Sequence, residues 1–367
     1  MLELCTASRL HFGLLELAAG QPHRFGGLGL MVETPQLRVR IAEGAPAPPT
    51  KESGEIDRRV HSALEHVERM LGRCLPADCH VEVLEHPALH SGLGLGTQLA
   101  AAVTTAASLA TTLFSGSSQQ LATTPSRWQP VAQAPASNYR NQIRELARLS
   151  GRGKRSAIGL HGFLYGGLVQ DLGYQPDSGT CEHIPAAIES RPAPTRPIAT
   201  RSVTFPSAWP VVLILATEGG DMHGAAEESL ITAAGATPNR EQLAMLELSE
   251  SCMAAADRSD FDGFVDALER YMKIAASLFE SVQAGRYRDK FIAQRVASAS
   301  QAGLRGVGQS SWGPTVFGFA IERASAERAA DHLRSQLVQH SVQVLVTQAA
   351  KHGARWRTSL SGVQHAG

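Results

Sequence analysis

The chain has 367 residues, with 34 Lys+Arg balanced by 34 Asp+Glu. A net charge of zero excludes the long-range field that recruits nucleic acid or an anionic membrane surface, so any anion recognition must be local. Hydrophobic residues at 43% and charged residues at 19% give the balance of a globular chain long enough for two domains.

The start, MLELCTASRLHFGLLEL, breaks its apolar residues with polar ones and has no basic leader, so no signal peptide is expected. No stretch approaches the ~18 apolar residues of a membrane span. Cys5, Cys74, Cys79, Cys181 and Cys252 are an odd, scattered set that suits reduced thiols and a cytoplasmic protein. Cys74, Cys79 and His80 lack the second ligand pair that a zinc site needs.

In chain order, Leu2 to Leu17 reads as extended, AAGQPHRFGGLGL as a Gly/Pro turn region, and Leu37 to Glu43 alternates like a half-buried strand. Val60, Leu64, Val67 and Leu71 recur at helical spacing, and CHVEVLEHP reads as a strand. HSGLGLGTQLA then runs into the alanine-rich AAVTTAASLATTLF, a glycine turn followed by a helix. The Ser/Gln/Pro-rich stretch after Phe114 reads as a long surface loop, and Leu160 to Asp171 as a strand pair with glycine bends. WPVVLILAT is a continuous apolar run, typical of a strand covered on both faces. Phe261, Phe264, Val265, Leu268, Met272, Ala275 and Phe279 share one helical face, with Ser259 and Asp262 near the helix start. A glycine turn (GLRGVGQSSWGPT), a strand, a helix and a final strand complete the skeleton of a ferredoxin-like layer.

Three glycine-rich segments carry the chemistry. Gly92, Gly94 and Gly96 allow close backbone approach to a ligand, and a helix starting near Thr97 and Gln98 offers N–H groups and a positive dipole end, which suits phosphate. Glycines before a buried helix also occur simply as tight loops. GRGKRSAIG places Arg152, Lys154 and Arg155 beside Ser156, side chains suited to phosphate or carboxylate, although a solvated basic turn has the same composition. In GLRGVGQSSWGPT, Gln309, Ser310, Ser311 and Trp312 offer polar groups and an aromatic wall; an ordinary hairpin turn is the plainer reading.

Near the N-terminus Arg9, His11, Glu16, His23 and Arg24 interrupt an apolar region around Gly26 and Gly27, like the wall of a site. Asp221, His223, Glu227 and Glu228 are a further cluster, suited to Mg²⁺, to a base or to the first turn of a helix. The Walker, GxGxxG, HExxH and GxSxG patterns are absent.

GLGTQLA resembles the phosphate loop of the GHMP superfamily, in which serines usually stand where this chain has Thr97 and Gln98. That exchange argues against ATP as a substrate. SRLHFGLLEL, GGLGLMVE, HSGLGLGTQLA, GRGKRSAIGLHGFLYGGLVQDLG and GVGQSSWGPTVFGF together resemble one branch, the β-ribofuranosylaminobenzene 5′-phosphate synthases. Phe25 and Glu16 depart from that pattern, in which an acidic residue precedes the Gly-Gly pair and an aspartate is common in place of Glu16.

The resemblance implies an α+β fold of two domains, a ribosomal-S5-like unit over residues 1–200 and a ferredoxin-like unit over residues 201–367. It implies a reaction of 4-aminobenzoate with 5-phosphoribosyl 1-diphosphate, releasing CO₂ and diphosphate in tetrahydromethanopterin synthesis, with Mg²⁺ and a homodimer expected. Catalytic roles then fall to Glu16, Arg24 and Asp171, with Asp171 or Glu16 meeting metal or stabilising the developing cation. Arg9 or Arg24 would orient the carboxylate, Trp312 would stack on the ring, and Arg152 and Lys154 would hold phosphate. A GHMP small-molecule kinase and a non-catalytic ligand sensor on the same fold are the alternatives.

Overall fold

The computed structural model describes residues 1–15, 26–44, 54–72, 75–76, 78–114, 127–132, 139–153, 156–173, 200–216, 239–278, 280, 285–338 and 341–358. Two long strands, β1 (Leu2–Leu15) and β2 (Gly26–Glu43), form an antiparallel ribbon around which the first half is built. A seven-stranded sheet grows from it, with β3 (Cys79–Glu85) and β5 (Leu168–Asp171) pairing with β2 and β6 (Thr200–Val203) pairing with β5. The chain's last described strand, β11 (Arg355–Thr358), returns to pair with β1 and carries the two-residue β4 (Gln129–Pro130). Residues after 200 therefore contribute β6 and β11 to the first sheet.

Four helices cover one side of this sheet: α1 (Gly54–Leu71), α2 (Leu95–Phe114), α3 (Tyr139–Ser150) and α4 (Ile158–Tyr165). Helix α1 buries Ile56, Val60, Ala63 and Val67, a helical stripe that packs on the small residues of α2. Where a strand pair was expected from Leu160, the structure has α4 followed by β5. The glycines that suggested bends serve close packing: a Cβ at Gly159 would lie 2.9 Å from Thr97 Cγ2, and one at Gly162 would collide with Met31.

In the second half, β7 (Val211–Ala216), β8 (Arg305–Gln309), β9 (Val316–Phe319) and β10 (Val342–Thr347) form an antiparallel sheet in the order β10-β7-β9-β8. Numbered from β7 this is 4-1-3-2, the ferredoxin-like order read from the sequence. The glycine turn that begins this region is in part a strand, since Arg305–Gln309 is β8 itself. Helix α5 (Asn239–Asp257), which sequence patterning did not predict, precedes α6 (Phe261–Ser277). The α6 cap is Asp260, whose carboxylate accepts from Gly263 N at 3.0 Å, rather than Ser259 or Asp262. Helices α7 (Lys290–Gln301) and α8 (Arg323–Gln336) bury Val212, Ile214 and Val316 on one face of the sheet.

The other face meets the first half. Leu10, Phe12, Leu28 and Leu30 share one core with Leu213, Phe317, Phe319 and α6. Phe12 sits 5.1 Å from the Phe317 ring and 6.2 Å from Phe319, centroid to centroid. A register shift between Thr6 and Ser8 separates the part of β1 buried under α1 and α2 (Leu2, Leu4) from the part buried against the second half (Leu10, Phe12). Such a bulge re-aims side chains, and here it turns Arg9 toward the helices.

Candidate active site between the two halves

The glycine turn before α2 and the Gln-Ser-Ser-Trp turn after β8 are 218 residues apart, yet they touch. Ser310 Oγ donates to Gly92 O at 2.9 Å and accepts from His11 N at 3.1 Å. Ser311 N donates to His11 O at 3.1 Å, and Arg9 N donates to Leu93 O at 2.9 Å. One strand of the first half thus holds both loops. The contact is close enough to need glycine twice: a Cβ on Gly92 (φ 84°) would collide with Ser310 O, and one on Gly313 with the Gly92 backbone. His90 (φ 56°) and Ser311 (φ 53°), one in each loop, also have left-handed backbones, a strained state for non-glycine residues that concentrates at functional sites.

The C-terminal loop is held from behind. Gln309 Nε2 donates to Gly313 O at 3.1 Å, Gln309 Oε1 accepts from Arg288 N at 3.4 Å, and Ser310 N donates to Thr315 O at 2.9 Å. Arg288 Nη1 also donates to Trp312 O at 3.4 Å. Gln309 therefore shapes the turn with both ends of its amide, while Trp312 and Ser311 remain half-buried at its rim.

Below the first loop, Thr97 N and Gln98 N donate to Gly94 O at 3.1 Å. Gln98 points inward and is 1% exposed; its Oε1 accepts from Thr6 Oγ1 and its Nε2 donates to Gly159 O, each at 2.8 Å. It pins α2 to β1 and α4, a task a serine at that position could not reach far enough to perform. Arg9 lies under Gly94, whose added Cβ would stand 3.1 Å from Arg9 Nε, and its guanidinium extends toward Gly159.

Asp171 is 3% exposed. Its Oδ2 accepts from Ala157 N at 2.6 Å and its Oδ1 from Gly173 N at 2.9 Å, with the Ser156 side chain a further partner. The carboxylate thus anchors the N-terminus of α4. Burial pushes its pKa up to about 6, against the pull of those donors. Gly27 pairs with it across β2 and β5, and Gly26 leaves room for its carbonyl. Nearby, Tyr271 Oη donates to Gly13 O at 3.1 Å, tying α6 to β1.

Both oxygens of Asp171 are engaged by main-chain donors, and no group of three or more His, Cys, Asp or Glu is placed to hold a metal among the described residues. Glu16, Arg24 and Lys154 lie outside the described residues, as do Asp221, His223, Glu227 and Glu228. Arg152 is exposed and lines a cleft to which no residue of the Ser310 turn contributes. Sequence reading missed Arg59, whose Nη1 stands 3.1 Å from where a Gly96 Cβ would be, and which Glu55 holds at 2.6 Å. An arginine within an ordinary amphipathic helix carries no motif.

Residues 252–339 match the family model described as GHMP kinases C terminal. A homoserine kinase from Cytophaga hutchinsonii superposes with a TM-score of 0.58 at 14% identity, covering 97% of this chain and 96% of that one. A phosphomevalonate kinase from Streptococcus pneumoniae gives 0.57 at 14% identity, covering 95% and 99%. The chain has the GHMP kinase fold. Within that fold its similarity in sequence is to proteins of another name. The β-ribofuranosylphenol 5′-phosphate synthase of Methanothermobacter thermautotrophicus is 26% identical over 325 residues, 87% of this chain and 88% of its own length. That of Archaeoglobus fulgidus is 26% identical over 358 residues, 96% and 98%. No helix among the described residues is long and apolar enough to cross a membrane.

Proposed function

We propose that this GHMP-fold chain is an enzyme that joins C1 of a 5-phosphoribosyl group to a benzoate ring, with 5-phosphoribosyl 1-diphosphate as donor and 4-aminobenzoate as acceptor. One observation carries the reading: two glycine loops, His11 and the Trp312 rim meet at one place between the halves. Likeness to the archaeal synthases over nearly the whole chain supports it.

In the reaction, the C1–O bond to diphosphate breaks and the electron pair leaves with diphosphate. The ring carbon that bears the carboxylate supplies the π electrons for the new C–C bond, helped by the electron-donating group para to it. The C–CO₂⁻ bond then breaks, its electron pair restores the aromatic ring, and CO₂ departs. No oxidant or nucleoside triphosphate is consumed.

The site's part is to hold anions by main-chain N–H groups, to orient the acceptor and to exclude water from the electron-poor ribose. Trp312 provides a ring to stack on the acceptor, and Arg9 a guanidinium for its carboxylate. Mg²⁺ belongs to this proposal only as a companion of the donor's diphosphate, a mode that needs few protein carboxylates. A homodimer and a cytoplasmic location complete it.

The test is release of label from carboxyl-labelled 4-aminobenzoate with 5-phosphoribosyl 1-diphosphate and no ATP. A parallel arm uses labelled 4-hydroxybenzoate, because the relatives' name specifies a phenol. Release from aminobenzoate supports the proposal, and release from hydroxybenzoate alone corrects the acceptor. ADP formation without label release would establish a kinase instead.

A further inference from the structure

A cleft of about 550 Å³ is walled by α1, α2, the end of α3 and the turn after it. Arg58, Arg59, Arg69, Arg148 and Arg152 line it; among the described lining residues Glu55 is the one carboxylate, and Glu145, outside the lining, pairs with Arg148 at 2.6 Å. In a chain of zero net charge, five guanidinium groups around one concavity outnumber the carboxylates of Glu55 and Glu145 that pair with two of them, and leave it locally positive. Glu55 is already engaged, bonded to Arg59 Nε at 3.0 Å and to His90 Nε2 at 3.1 Å.

A second observation is independent of charge. Ser150 lines the same cleft and is 6% exposed, and its hydroxyl has no hydrogen-bond partner among the described residues. A buried hydroxyl left without a partner is costly, and an oxyanion in the cleft would satisfy it. The backbone keeps the space open at Gly151 (φ 64°), where a Cβ would press to 3.3 Å from the His66 ring. The cleft also leads to the glycine loop: Ala100 lines it, Gly96 is one turn earlier on α2, about 6 Å along the axis, and Arg59 touches both regions.

We propose that this cleft binds a diphosphate group, as a second anion site beside the glycine loop. The inference rests on the phosphoribosyl diphosphate reading for its source: the donor has two anionic ends, and the molecule offers two anion sites of different character. Main-chain N–H groups at the start of α2 suit the single 5-phosphate. Planar guanidinium forks suit the larger charge of a diphosphate, and they favour it further once it has left the ribose.

Titration calorimetry with inorganic diphosphate and, separately, ribose 5-phosphate tests this on the full chain. The variants are Arg69→Gln/Arg152→Gln, both at exposed positions, and Ser150→Ala, with thermal melts confirming that each is folded. Diphosphate affinity should fall about tenfold in the arginine pair and about fivefold in Ser150→Ala. Ribose 5-phosphate affinity should change less than about twofold by the same conversion. Unchanged diphosphate affinity in both variants, or equal loss for the two ligands, overturns the assignment. Binding that follows the prediction in a chain that releases no labelled CO₂ keeps the anion site and rejects the reaction.

Discussion

Ser310 Oγ lies between His11 N, at 3.1 Å, and Gly92 O, at 2.9 Å, so one hydroxyl joins the first strand, the glycine loop and the C-terminal loop. Replacing it by alanine leaves a buried donor and a buried acceptor unpaired. Ser310→Ala should lose about 2 kcal/mol in urea unfolding and most of its kcat/KM. Ser310→Thr should retain more of both. An alanine variant as stable and active as the parent would remove the hydroxyl from this account.

The backbone contact of Gly92 with Gly313 makes a sharper demand. Gly92→Ala forces a side chain into a left-handed backbone, a cost of ~1–2 kcal/mol, and also drives it into Ser310 O. Gly313→Ala has no φ penalty but the same collision. Both variants should fold with a lowered melting temperature and should bind the phosphoribosyl donor at least about tenfold more weakly, as calorimetry would measure.

Trp312 stands half-buried at the rim, held through its own carbonyl by Arg288. Trp312→Ala should therefore raise KM for aminobenzoate with little change in KM for the donor. Loss of a stacking partner is worth about 1 kcal/mol, or roughly fivefold. Trp312→Phe should restore much of it. Steady-state kinetics with each substrate varied in turn separates these outcomes.

Asp171 gives the pH prediction. Burial raises its pKa to about 6 from 3.8, so the folded state binds a proton that the unfolded state has released. Its contribution is fully present below about pH 4 and is lost as pH rises through 6. His161, at about 4, has the opposite sign: burial lowers it from 6.5, and its contribution is lost as pH falls through that window. The two oppose each other in the parent's own curve. Comparison with Asp171→Asn isolates the first: parent stability relative to the variant should fall by about 3 kcal/mol between pH 3.5 and 7. A flat difference would mean that the carboxylate is ionised throughout.

Much of the frame was legible because its signals are local. The alanine-rich segment after Gly96 and the apolar face from Phe261 to Ala275 dictate helices with little help from the rest of the chain. WPVVLILAT is covered on both faces as its uninterrupted run requires, by α6 and the first half on one side and by α7 and α8 on the other.

What failed depended on partners distant in sequence. Gly159 and Gly162 looked like strand bends because their reason is external: they let α4 press on Thr97 and Met31. Gln98 looked like a ligand contact until Thr6 and Gly159 took both ends of its amide. The arginine cleft was invisible because Arg58, Arg59 and Arg69 come from α1, Arg148 from the end of α3 and Arg152 from the turn after it, with no motif linking them.

The central claim is that the two loops act as one binding surface, and hydrogen–deuterium exchange read with and without 5-phosphoribosyl 1-diphosphate tests it most directly. The account predicts that amides of residues 92–98 and of residues 308–313 gain protection together, at the same ligand concentration. Protection confined to one loop, or absent from both while the donor is bound, would contradict it.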